Sequence, residues 1–174
     1  MAEIRLRAPE PEDVDLLYLW ENDPETWKVS NTITPFSRYI LQKYIENAHL
    51  DIYQMKQLRL MIEVGEEGAE TFTAGTIDLF DFDPFHQRAG IGILIGNQSD
   101  RHKGYAAAAL KSCIDYCFNT LQLHQIYCNI TESNTESLRL FQKCGFKITG
   151  QKTDWIKTSQ GYRDEILLQL ISEK

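Results

Sequence analysis

Apolar and polar residues alternate over "EIRLR" and the alternation stops at Pro9, which predicts a first strand. In "EDVDLLYLWEN" the apolar residues Val14, Leu17 and Tyr18 fall at helical spacing behind acidic first-turn residues, so a helix follows and is expected to end at Pro24. After a polar loop, "SRYILQKYIENAHL" places Ile40, Leu41, Tyr44, Ile45 and Ala48 on one stripe with Ser37 as N-cap, predicting a second helix. "LRLMIEV" and "FTAGTIDLFDF" read as a hairpin joined by "GEEGAET", and "HQRAGIGILIG" as the next strand. In that strand Ile91, Ile93 and Ile95 share one face, whereas Gly90, Gly92, Leu94 and Gly96 share the other, which is nearly bare.

The second half continues with a helix from about Gly104 to Leu121, a strand "HQIYCNIT" and a helix "NTESLRLFQKC" stopped by Gly145. Strands around "FKITGQKTDWIK" and "YRDEILLQL" close the chain across the turn "TSQG". This order predicts an α+β fold with a largely antiparallel sheet and at least one crossover helix. At 174 residues, with ordinary hydrophobic content and no repeat or linker, residues 1–174 are expected to form one domain.

A formal net charge of −7 argues against a general nucleic-acid binder, because such affinity comes from lysine and arginine neutralising phosphates. It favours small cationic partners through long-range attraction. The N-terminus lacks the layout of a secretory signal, no apolar run reaches the length of a membrane span, and a cytoplasmic location is expected. Cys113 and Cys117 stand i,i+4 with His124 following, a spacing that could be imagined as a metal site, but buried reduced thiols are the expectation and no metal is.

"DRHKGYAAAAL" sets a basic run and a glycine at the start of a strong helix former. The first N–H groups of a helix lack partners and carry partial positive charge, so this start suits an anion. Gly104 lets a ligand approach, Ala106 is small, and Arg101, His102 and Lys103 add charge. The local alternative is a turn glycine followed by alanines packed on the sheet. Neither the GxxxxGK[ST] loop nor the dinucleotide fingerprint is present, since "GIGILIG" has three residues between its second and third glycines.

Arg101-x-x-Gly104-x-Ala106 after a strand resembles the pyrophosphate-wrapping element of the GCN5-related N-acetyltransferase superfamily. In "NTESLRLFQKCGF", Asn134, Ser137, Leu140, Phe141, Lys143, Gly145 and Phe146 match that superfamily's second motif in register. The resemblance extends over the whole chain and is nearest to the spermidine and ribosomal-protein acetyltransferase branches. It implies acetyl-CoA as cosubstrate, bound between "AGIGILIG" and "HQIYCNIT" as these strands splay. By the same resemblance Leu94 and Ile95 offer backbone N–H groups to the thioester. Arg101, His102, Lys103, Gly104, Tyr105 and Ala106 hold the pyrophosphate, and Asn134 and Ser137 hold the pantetheine arm.

Acyl transfer to an amine needs a neutral amine, a polarised carbonyl and a protonated or stabilised leaving thiolate. Many relatives use a tyrosine for the thiolate where this chain has Phe141, and a glutamate as base where it has Gly90. Ser137, which matches a serine placed at the thiol in the ribosomal-protein branch, is by that resemblance the next candidate acid, with a helix-surface hydroxyl as the alternative reading. Asp78 and Asp81 lead the candidate bases, with His86, Glu132 and Glu165 also open, while Tyr127 and His124 read as structural. Asp78, Asp81 and Asp83 lie within six residues and could form one carboxylate cluster for a polycation. The expected reaction is direct transfer to a primary amine, of a polyamine or a protein N-terminus. An acyl-CoA-binding module without turnover is the alternative, and a phosphate-binding regulator a more distant one. A homo-oligomer is possible.

Overall fold

The computed structural model describes residues 2–30, 32–65 and 70–173. Seven strands form one sheet in the order β1-β2-β3-β4-β5-β7-β6: β1 (Glu3–Arg7), β2 (Leu58–Gly65), β3 (Phe72–Asp83), β4 (Arg88–Ile95), β5 (Gln125–Thr131), β6 (Lys147–Thr158) and β7 (Gly161–Ile171). All neighbours pair antiparallel except β4 and β5, whose parallel pairing requires the crossover helix α5 (Tyr105–Asp115). The expected mixed architecture is therefore observed. The turn read in "GEEGAET" falls largely on residues 66–69, outside the described residues.

Three of the helices begin where a side chain satisfies first-turn N–H groups. Ser37 caps α3 (Arg38–Glu46) by accepting from the Ile40 N–H, and Asp51 caps the short α4 (Ile52–Met55). Asn134 caps α6 (Thr135–Lys143), which ends at Gly145 with φ +96°, as its sequence predicts.

Two expectations require correction. Pro24 follows the end of α1 (Val14–Glu21), yet it opens a further helix, α2 (Pro24–Ser30), rather than a loop. Proline suits a first helical position because its missing N–H has no intrahelical partner to lose, and the Asp23 carboxylate accepts the Glu25 N–H at 2.9 Å. The helix expected through Leu50 ends as an α-helix at Glu46 and goes on only as a 3-10 turn over Asn47–His49, with α4 a separate element beyond Leu50.

The sheet buries both faces. On one, Ile62, Ile77, Ile91, Ile126 and Cys128 pack with Leu110 and Cys113 of α5 and Phe141 of α6. On the other, Met61 packs with Leu17 and Trp20 of α1 and Leu41 and Ile45 of α3. Burying a side chain of this size stabilises by about 1.5–3 kcal/mol, so α1 and α3 are held firmly over β2 and β3. No helix among the described residues is long and apolar enough to cross a membrane.

Candidate active site

The two parallel strands touch for only three residue pairs: Arg88 with Gln125, Ala89 with Ile126, and Gly90 with Tyr127. Beyond that rung β4 runs on to Ile95 and β5 to Thr131 without pairing to each other. The backbone of Ile91–Ile95 thus borders an opening along its β5 side. Leu94 and Ile95 lie on this stretch, as the resemblance requires.

The loop after β4 brings the start of α5 to the mouth of the opening. Gly104 takes φ +88° at the N-cap, and His102 is also left-handed at +60°. The first bond into the helix runs from the Ala108 N–H to the Gly104 carbonyl at 3.1 Å, so the first-turn N–H groups are directed out of the helix end. A Cβ at Gly104 would meet nothing within 4 Å. The glycine is thus there for its backbone angle rather than for want of space in this loop.

The basic residues divide their work. Lys103 donates to the buried Asp100 at 3.2 Å, which ties the loop down. His102 stands 3.7 Å from Glu136 at the start of α6, bridging the two lips of the opening. Arg101 is half-buried. Tyr105 is buried against Phe72, with ring centroids 6.1 Å apart, so its backbone rather than its phenol is placed at the helix start. Ala106 follows in the first turn.

On the second lip, the side-chain oxygen of Asn134 accepts the Ser137 N–H at 3.2 Å, so Asn134 builds the start of α6 as well as being a candidate contact for the coenzyme arm. The Ser137 side chain is half-buried, one turn into the helix. Phe141 is 2 % exposed and stacks edge-on with Phe146 at 5.0 Å, fully inside the core. Cys128 follows the last β4–β5 rung and is also buried, and burial pushes its thiol up to about 12. It stays a protonated thiol and is no nucleophile at neutral pH. Cys113 and Cys117 are likewise buried; their mutual hydrogen bond, and burial after it, raise the Cys117 thiol far above its ordinary range.

The glycine face of β4 is not bare. A Cβ on Gly90 would sit inside the ring of Phe80, and one on Gly96 inside the ring of Trp20. These glycines admit aromatic rings, which corrects the reading of a uniformly open strip. Gly92 is different: its nearest neighbour would be Phe80 at 3.8 Å, an ordinary contact. A Gly92→Val variant is expected to fold and to raise the KM for acetyl-CoA or for the acceptor about tenfold; unchanged steady-state kinetics would show that nothing passes over this residue.

Directly across from Gly92 on β3 is Asp78, which lines a cleft of about 410 Å³ between the sheet and α1 and α3. Its walls include Glu21, Leu41, Tyr44, Arg59 and Phe80. Arg59 grips Asp78 with two bonds, Nε to Oδ1 at 2.6 Å and a terminal nitrogen to Oδ2 at 3.1 Å, and reaches Glu21 at 2.6 Å. Burial opposes the Arg59 charge, but Asp78 and Glu21 outweigh it and hold the guanidinium above its ordinary value.

The three aspartates do not form one cluster. Asp78 is held by Arg59, Asp81 accepts from the Tyr127 hydroxyl at 3.3 Å, and Asp83 accepts from the His86 N–H and from Arg88 in the β3–β4 turn. Asp81 is exposed, with φ +49°, where β3 loses register with β4. Glu165 is buried and paired with Lys152 at 2.8 Å. Sequence reasoning did not find Arg59, Glu21 or Tyr44. The alternation in "LRLMIEV" placed Arg59 on a strand, but the pairing that faces it to Asp78 is a matter of register.

A family model for the acetyltransferase (GNAT) domain matches residues 3–147. The chain belongs to the GNAT acetyltransferase family. It is 29 % identical over 171 residues to the uncharacterized N-acetyltransferase p20 of Bacillus licheniformis, covering 98 % of this chain and 94 % of that protein. It is 24 % identical over 163 residues to the spermidine N(1)-acetyltransferase of Escherichia coli strain K12, covering 94 % and 83 % respectively. Its fold matches that of spermidine N-acetyltransferase from Vibrio cholerae, solved in complex with CoA and spermine, with a TM-score of 0.85 at 22 % identity over 97 % of this chain and 95 % of that one. A dodecameric structure of the Vibrio cholerae spermidine enzyme matches with a TM-score of 0.77 at 24 % identity, over 97 % and 93 %. Membership makes the chain an N-acetyltransferase, and the solved neighbour in complex with CoA agrees with a coenzyme A thioester as donor.

Proposed function

We propose that this GNAT acetyltransferase transfers the acetyl group of acetyl-CoA directly to a primary amine of a polyamine. The observation that carries the reading is the parting of β4 and β5 after Gly90, with the α5 start at its mouth and the acceptor cleft reached across Gly92. The polyamine class is supported by the spermidine acetyltransferases among the relatives and by the acidic balance of the chain. Assembly into a homo-oligomer is proposed on the strength of the dodecameric neighbour.

The residues of the chain fall into three roles. Of the two candidate donors, the Leu94 N–H shares the edge of β4 from which Gly96 donates to Ala74 of β3, so the Ile95 N–H on the unpaired edge is the one proposed to polarise the thioester carbonyl. The neutral amine attacks that carbon, a C–N bond forms, the C–S bond breaks, and the Ser137 hydroxyl supplies a proton to the leaving thiolate. The proton lost by the amine passes to the exposed Asp81 carboxylate and then to water, and a solvent proton restores Ser137. Asp78 is set aside as base because both its oxygens are engaged by Arg59. With Cys128 buried and protonated, no acetyl-cysteine intermediate is needed.

The test is coenzyme A release from acetyl-CoA with di-, tri- and tetraamines, amino sugars and N-terminal peptides, alongside the thermal shift produced by acetyl-CoA. Turnover with polyamines supports the reading, and turnover confined to peptides or sugars replaces the acceptor. A thermal shift without turnover on any amine marks a binding module instead. Ser137→Ala is expected to lower kcat about a hundredfold with little change in the thermal shift, the loss typical of a removed general acid.

A further inference from the structure

We propose that Arg59 is a specificity-determining residue: it occupies carboxylate charge inside the acceptor cleft and so selects amines that leave one ammonium there. This rests on the acceptor reading given above. Among the described residues lining the cleft, the charged side chains are Glu21, Asp78 and Arg59. Arg59 is one-fifth exposed, bonded to both carboxylates at 2.6 Å, and its guanidinium also faces the Tyr44 ring, whose centroid is 5.7 Å away. A buried guanidinium with two carboxylate partners stays charged and stays in place. Two carboxylates against one guanidinium leave the cleft a single negative charge.

The amine that attacks must be neutral. A diamine then carries one further ammonium into the cleft and meets one uncompensated carboxylate charge. A triamine brings two ammonium groups and a tetraamine three, and the surplus has no partner among these side chains; like-charge crowding in a partly desolvated cleft works against them. Without Arg59 the same walls would carry two free carboxylates and suit a triamine. The arginine therefore sets how many charges the acceptor brings.

The experiment compares kcat/KM for a monoamine, a diamine, a triamine and a tetraamine of matched methylene spacing in the wild type and three variants. The wild type is expected to favour the diamine. Arg59→Gln should shift the triamine-to-diamine ratio about tenfold toward the triamine, whatever happens to the absolute rates. Arg59→Lys keeps the charge but loses the fork, and should lower all rates while preserving the wild-type ratio. Should Arg59→Gln fail to fold, Glu21→Gln removes charge in the other direction and should erase the preference for diamine over monoamine. Unchanged ratios in Arg59→Gln or Glu21→Gln overturn this inference and leave the acceptor class standing. Absence of turnover with every polyamine by the wild type overturns the acceptor class and this inference with it.

Discussion

Replacing Gly104 with valine is expected to abolish measurable coenzyme binding while the chain still folds. The two effects separate because a side chain at this position would touch nothing within 4 Å, so no overpacking accompanies the change. What valine cannot accept is φ +88°. A β-branched residue held there costs about 1–3 kcal/mol, and the loop relieves that strain by rotating toward negative φ. The rotation turns the first N–H groups of α5 away from the opening, and with them the anion site proposed on that lip. Circular dichroism melting should therefore show a loss of a few degrees, on the order of 1–3 kcal/mol, whereas the thermal shift produced by coenzyme A disappears. Gly104→Asn provides the control, because asparagine tolerates the left-handed region and should retain much of the binding. A valine variant that binds coenzyme A as the wild type does would remove the phosphate-cradle argument.

Much of the architecture was legible because local signals agreed with the final packing. Alternation located the strands, Ser37 and Gly145 marked a helix start and a helix end, and the alanine run after Gly104 predicted α5. The opening between β4 and β5 was legible only through the resemblance. Nothing in "AGIGILIG" states that pairing ends at Gly90, since that depends on how β5 is held along its other edge by β7. The two candidate cofactor lips could be named from the sequence because each lies within a few consecutive residues and matches a motif. The cleft lined by Asp78 could not, because Glu21, Arg59 and Asp78 come from three distant segments and meet through strand register and the seating of α1. Closeness in sequence misled where three aspartates within six residues suggested one cluster, for β3 loses register with β4 between Phe80 and Asp83 and each aspartate meets a different partner.

Gly90 carries the second large effect. Gly90→Glu would install the acid that the resemblance leads one to expect on β4, yet the single substitution is expected to destabilise the protein rather than improve it. The space in front of Gly90 is filled by the ring of Phe80, which packs edge-on against Tyr127 with centroids 6.1 Å apart. A Cβ there must displace a rigid ring bounded by another aromatic, and such overpacking costs typically about 1–3 kcal/mol, occasionally more. Phe80→Ala alone loses aromatic burial, about 3–5 kcal/mol for a fully buried ring and less at this partly exposed position. The pair should lose less than the sum, because each change vacates or fills the volume that the other disturbs, and a double-mutant cycle on urea unfolding reads that coupling. Additive losses would show that Phe80 and Gly90 are not locked together. Kinetics of the pair then ask a separate question: with the ring gone, a glutamate at 90 stands at the last β4–β5 rung, beside the cleft lined by Asp78 and Phe80. A rise in kcat over Phe80→Ala at neutral pH would mean that this enzyme lacks a strong base of its own because an aromatic ring took its place; no rise would leave the proposed route through Asp81 and water in place.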